Sequence, residues 1–80
     1  MEYSVPTANA GPYNITVGPD GRLWFTELTA SKIGAITTSG AVTEYPTITE
    51  NANPVGIVTG SDGALWFTEG SADKVGRLIP

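Results

Sequence analysis

Leu23-Trp24-Phe25-Thr26-Glu27 recurs unchanged as Leu65-Trp66-Phe67-Thr68-Glu69, at an offset of 42 residues. Outward from this pentapeptide the match continues without a gap: Pro12 with Pro54, Ile15 with Ile57, Gly18 with Gly60, Asp20-Gly21 with Asp62-Gly63, Lys32 with Lys74, Gly34 with Gly76. The same offset pairs Glu2-Tyr3, Thr7 and Asn9-Ala10 with Glu44-Tyr45, Thr49 and Asn51-Ala52, so the chain opens on the tail of a repeat. A period of about 40 residues with several short strands per unit reads as a propeller blade, because helical repeats of that length show helical periodicity and few Gly or Pro. Here Gly and Pro together make up sixteen of the 80 residues.

Within one unit, four strands alternate with turn signals. Asn14 to Val17 is the first. Gly18-Pro19-Asp20-Gly21 then reverses the chain, Asp20 supplying a side-chain acceptor and Gly21 the positive φ of a tight turn. The second strand, Arg22 to Glu27, sets Leu23, Trp24 and Phe25 in succession. Large apolar groups therefore point to both faces, and the strand needs cover on both sides. That is the situation of a sheet stacked between two similar sheets. The third strand is Lys32 to Thr37, Thr38-Ser39-Gly40 turns the chain, and Ala41 to Pro46 is an outer edge strand, where a proline is tolerated. The loop Thr47 to Pro54 leads to a second unit with strands near Gly56 to Thr59, Ala64 to Glu69 and Lys74 to Ile79.

The expected fold is all-β: two antiparallel, four-stranded propeller blades, residues 11–52 and 53–80, the second showing only three strands. Residues 1–10 carry an outer strand, Glu2 to Pro6, in register with the blade preceding the first. It is expected to complete the last blade of a neighbouring chain, with Glu2, Tyr3, Ser4, Val5 and Pro6 against Lys74, Val75, Gly76, Arg77, Leu78 and Ile79. Met1, directly before that strand, reads as a deliberate cut in a longer propeller.

Composition removes most chemistries. The chain has no His and no Cys, hence no imidazole base, thiol nucleophile, Ser-His-Asp relay or common zinc ligand set. Eight acidic residues against four basic ones, Arg22, Lys32, Lys74 and Arg77, leave no positive face for phosphates, so nucleic acid is not an expected partner. Apolar runs fall far short of the roughly 20 residues that cross a bilayer, and no basic segment followed by an apolar one opens the chain. No membrane contact and a cytoplasmic location are expected. A chain this short buries only about 60% of its unfolded surface and has no disulfide to help. Two uncovered blade faces would forgo about 1.5–3 kcal/mol per large side chain. Assembly is expected to be a condition of folding.

Gly11-Pro12-Tyr13-Asn14-Ile15-Thr16, Gly18-Pro19-Asp20-Gly21, Leu23-Trp24-Phe25-Thr26-Glu27, Lys32-Ile33-Gly34 and Val42-Thr43-Glu44-Tyr45-Pro46 together resemble the blades of the virginiamycin B lyase, or streptogramin lyase, family. The resemblance covers essentially the whole chain and implies a seven-bladed propeller. It also implies opening of a cyclic depsipeptide by elimination at its ester, with magnesium, histidines before the first strand of particular blades, and an acidic residue after the Trp-Phe strand. The histidine positions fall on Tyr13 and Val55, and Glu27 and Glu69 lie close to the acidic one. A phenol, with an ordinary pKa of about 10, is a poor base at neutral pH. The lyase activity is therefore not expected here, and magnesium enters only through the resemblance.

Two-blade chains cannot close a seven-bladed ring in whole numbers; three give six blades and four give eight. The expected function is a non-catalytic scaffold that assembles with itself by strand exchange, a trimer first and a tetramer next. Rival readings are a ligand- or metal-binding module using the central channel and face loops, and residual elimination activity. For such a module the candidate residues are Tyr13, Asn14, Val55, Glu27 and Glu69. Tyr13 reads equally as a channel-lining group or a packed aromatic. Glu27 and Glu69 read first as salt-bridge partners of Lys32 and Lys74, and second as a ring of carboxylates for a hard cation. Trp24, Phe25, Trp66 and Phe67 read as core.

Overall fold

Turn residues cut the chain into seven strands, and the computed structural model, which describes all 80 residues, contains no helix. They are β1 (Pro12–Val17), β2 (Leu23–Glu27), β3 (Lys32–Ile36), β4 (Val42–Pro46), β5 (Pro54–Thr59), β6 (Leu65–Glu69) and β7 (Lys74–Leu78). Each agrees with its expected span to within two residues. β1 to β4 form one antiparallel sheet in sequential order, and β5 to β7 form a second. The two sheets resemble consecutive propeller blades.

The repeat extends to the backbone. Both inner hairpins carry a register irregularity at the same place, between Pro12 and Ile15 and between Pro54 and Ile57. Positive φ recurs in matched pairs: Asn9 and Asn51, Ser31 and Asp73, Gly21 and Gly63. At the first hairpin the Gly18 N–H donates to the Arg22 carbonyl at 2.8 Å, and Asp20 Oδ1 accepts from the Arg22 N–H at 3.1 Å and the Trp24 indole at 3.0 Å. Asp20 and Asp62 are thus the turn formers that the sequence suggests.

Strand alternation decides which face packs. Trp24, Ile33 and Ala35 of the first sheet meet Ile57, Leu65 and Phe67 of the second in one buried cluster, with Tyr45 and Leu78 against its rim. Trp24 stacks on Tyr45 with ring centroids 5.5 Å apart. Contact between the sheets is concentrated where β5 meets β1 and β2, the inner strands. The Thr26 hydroxyl ties the blades together there, donating to the Val55 carbonyl at 3.0 Å while accepting the Asn14 N–H at 3.1 Å. Gly34 and Gly76 are required by close approach, since a Cβ at either would run into the ring of Phe25 or Phe67.

Residues 1–5 pair with no strand of their own chain, and their expected partner is a strand of another copy. The outer edge of β3 is taken by β4, and β7 lies in the other sheet. In the single chain the segment lies against the open face of the first sheet, where the Tyr3 ring covers Gly40 and Thr7 bonds to Glu44. One expectation is corrected: Trp66, read as core, is not fully buried. It is partly exposed while Trp24, Phe25 and Phe67 are buried, because its face of β6 has no sheet over it.

Candidate functional site

The five candidate residues do not converge. Tyr13, on β1, is mostly exposed and borders an apolar groove of about 580 Å³ with Tyr3, Val5, Ile15, Phe25 and Val42. Asn14 reaches the same groove, and its Oδ1 accepts the Ile15 N–H at 2.9 Å. Val55 is half-buried, its carbonyl engaged by Thr26. Glu27 and Glu69 end β2 and β6, both buried, and neither borders that groove. Glu69 lines a separate cavity of about 180 Å³ with Phe67, Gly76 and Leu78.

The polar centre that does form was not among the candidates as a group. Glu27 is fully buried, and no N–H or hydroxyl of the chain donates to either of its carboxylate oxygens or to Oε2 of Glu44. Glu44 arrives from β4, in register with Gly34 of β3, whose missing side chain leaves room for the Glu27 carboxylate. Thr7 Oγ1 donates to Glu44 Oε1 at 2.9 Å, and Lys32 Nζ donates to Thr7 at 3.0 Å. Burial, followed by the neighbouring Glu44, pushes the Glu27 carboxyl up to about 7. Glu44 is held below the ordinary range, chiefly by a hydrogen bond from Glu27 and then by Thr7 and Lys32. The chemistry is consistent: a protonated Glu27 can donate to an ionised Glu44, whereas two carboxylates have no proton to share. No local signal in the sequence joins the two acids, which meet through the register of β4 on β3 at Gly34.

The expected Glu27–Lys32 and Glu69–Lys74 ion pairs do not form. Each pair is in register across its hairpin, yet the ion pairs present are Arg22 with Asp20, at 2.7 Å, and Arg77 with Asp62, at 3.0 Å. Lys32 is drawn to Thr7 instead. Burial opposes the Asp20 charge, but bonds from the Trp24 indole and Arg22 hold its carboxyl down at about 2. At Asp62 the Trp66 indole leads, followed by the Ala64 N–H, with the same result of about 2. The ammonium of Lys32 beside only two carboxylates is a poor match to the oxygen-rich shell a magnesium ion takes.

The Virginiamycin B lyase family model matches residues 1–80. Among curated proteins, virginiamycin B lyase of Bacillus licheniformis is 53% identical over 41 residues, covering 51% of this chain and 14% of its own. The Saccharopolyspora erythraea lyase is 54% identical over 44 residues, covering 55% and 15%. The crystal structure of selenomethionine-substituted virginiamycin B lyase from Staphylococcus aureus superposes with a TM-score of 0.97 at 46% identity, over 99% of this chain and 27% of that one. A streptogramin B lyase structure gives 0.96 at 48% identity, over 99% and 26%. The matched stretches of 41 and 44 residues thus span about a seventh of the curated relatives, and the whole chain spans about a quarter of the solved lyases.

Proposed function

This chain belongs to the virginiamycin B lyase family, and we propose that it works as a non-catalytic blade pair that closes into a propeller ring with further copies of itself. One observation carries this reading. Ile15 and Ile57 hold the same repeat position yet are 56% and 5% exposed, and Trp24 and Trp66 are 0% and 36% exposed. The inner faces of the two sheets cover each other, while on the outer faces no second sheet lies over the equivalent residues Ile15 and Trp66. Val17, Val58 and Val75 are exposed on those outer faces too. At about 1.5–3 kcal/mol for each large side chain, the forgone burial rivals the stability of a small domain, about 5–15 kcal/mol. A copy stacked on the Trp66 face would repeat the junction already present between the blades. Its residues 2–4 would lie beside β7, where Glu44 to Pro46 lie beside β3. Three chains would make six blades, and four would make eight.

The positions at which the family resemblance implies histidines carry Tyr13 and Val55, neither of which is a base at neutral pH. The apolar groove beside Tyr13 offers no base or nucleophile suited to elimination.

Native mass decides the matter. Light scattering after size exclusion is expected to give one species at three times the 8.3 kDa chain mass, with four times as the next ring. A monomer, or a ladder of sizes, overturns the ring. Deleting residues 1–7 is expected to abolish the discrete species; an unchanged mass refutes strand exchange. Incubating the assembled protein with a streptogramin B depsipeptide and magnesium is expected to leave the ester intact by mass spectrometry.

A further inference from the structure

Building on the ring reading above, we propose that each junction between copies is completed by a two-chain carboxylate pair, Glu2 of one copy against Glu69 of the next, and that this pair makes assembly sensitive to pH. The first blade already holds the pattern. Glu44 on β4 is opposite Gly34, Glu27 points over that glycine, Thr7 bonds Glu44, and Lys32 bonds Thr7. Shifted by 42 residues these become Glu2, Gly76, Glu69, Thr49 and Lys74, and every one is conserved in type within the chain. Gly76, Glu69 and Lys74 lie in the second blade, and Thr49 in the loop that leads into it. In the proposed ring, Glu2 is the member that another copy brings to the open edge of β7.

The second blade is prepared for it. The cavity of about 180 Å³ lies beside Glu69 and Gly76, the place that corresponds to Glu44 in the first blade. Glu69 is already buried before any copy arrives. Around it, Lys74 is its register partner on β7, and Ile33 with residues 46–48 of the first blade contribute no titratable group to the cavity. Arg77 borders the cavity but is in register with Trp66 on the other face of β7, where Asp62 engages it. By the same shift, the Met1 ammonium of the arriving copy falls opposite Arg77 and not beside Glu69.

Two carboxylates brought together out of water cannot hydrogen-bond to each other when both are ionised, and they repel. One shared proton turns the pair into a donor and an acceptor. Ring closure therefore takes up about one proton per junction as pH rises past the ordinary carboxylate range, and the association constant falls by about tenfold per pH unit for each junction while that proton is being lost.

The test is native mass of the full 80-residue chain against concentration, from about pH 5 to about pH 9, for the wild type, Glu2→Gln and Glu27→Gln. The wild-type ring is expected to need more protein to form as pH rises. Glu2→Gln, which alters an exposed terminal residue, is expected to flatten that dependence, whereas Glu27→Gln, within one blade, is expected to keep it. A ring that forms equally well at all pH values, or a Glu2→Gln profile that follows the wild type, overturns the pair and leaves the ring standing. A chain that is monomeric throughout overturns both.

Discussion

Ile15 and Ile57 occupy the same position in strands β1 and β5, each opposite the phenylalanine of its hairpin, yet one is solvent-facing and the other is core. Nothing local separates them. Ile57 faces the first sheet, whereas Ile15 faces the groove under residues 3–5. This asymmetry between equivalent residues runs through the molecule and gives each prediction its internal control.

Trp24→Ala is expected to cost about 3–5 kcal/mol of stability, because the indole is fully buried between the sheets. Trp66→Ala is expected to cost much less in the isolated chain and to abolish the oligomer. Urea unfolding at low protein concentration, set beside native mass, separates the two effects.

Thr26→Val removes the hydroxyl that both accepts the Asn14 N–H and donates to the Val55 carbonyl, leaving two main-chain groups short of a partner. A loss of about 1–3 kcal/mol is expected. Thr68 keeps only the first of these bonds, from the Gly56 N–H, so Thr68→Val is expected to be milder in the single chain. It should weaken the ring, where the repeat places the Tyr13 carbonyl of the next copy within its reach. Denaturation midpoints measured below and above the assembly concentration check this.

Gly34→Ala would push a methyl into the Phe25 ring and the Glu27 carboxylate, at a cost of about 1–3 kcal/mol. Gly56→Ala meets only Thr68 Oγ1, at 3.4 Å, and is expected to be tolerated. Thermal unfolding of the two variants gives the comparison.

Stability against pH follows from the acid pair. The Glu27 pKa rises from 4.5 when unfolded to about 7 in the fold. Folded Glu27 thus holds its proton where the unfolded chain has lost it, and stability declines as pH rises from 4.5 to 7. Glu44 and Asp20 are lowered, so their contributions are present above their unfolded values and are lost as pH falls through the folded ones. A maximum in mildly acid solution is expected, and Glu27→Gln is expected to remove the decline on its alkaline side. A series of thermal midpoints across pH at fixed ionic strength reads both limbs.

The offset of 42, the Asp-Gly turns and the Leu-Trp-Phe run were enough for two blades and for strand limits within two residues. These rest on local chemistry: positive φ at glycine, a side-chain acceptor at aspartate, and the two-residue alternation of a strand. Alternation also separates Trp24 from Phe25 by face. It does not say which face another sheet will cover, and so it could not distinguish Trp66 from Trp24. The acid pair was out of reach for a related reason. Glu27 and Glu44 are 17 residues apart in sequence, and they meet only because β4 registers on β3 with Gly34 at the contact. Lys32, next to Glu27 across the hairpin, was the obvious local partner, but a hydroxyl from residue 7 took it. The sequence by itself determined the blade, its turns and its repeat, since those depend on neighbours along the chain. Tertiary structure decided which copies of identical residues are buried and which carboxylate must hold a proton, because burial and charge depend on neighbours in space.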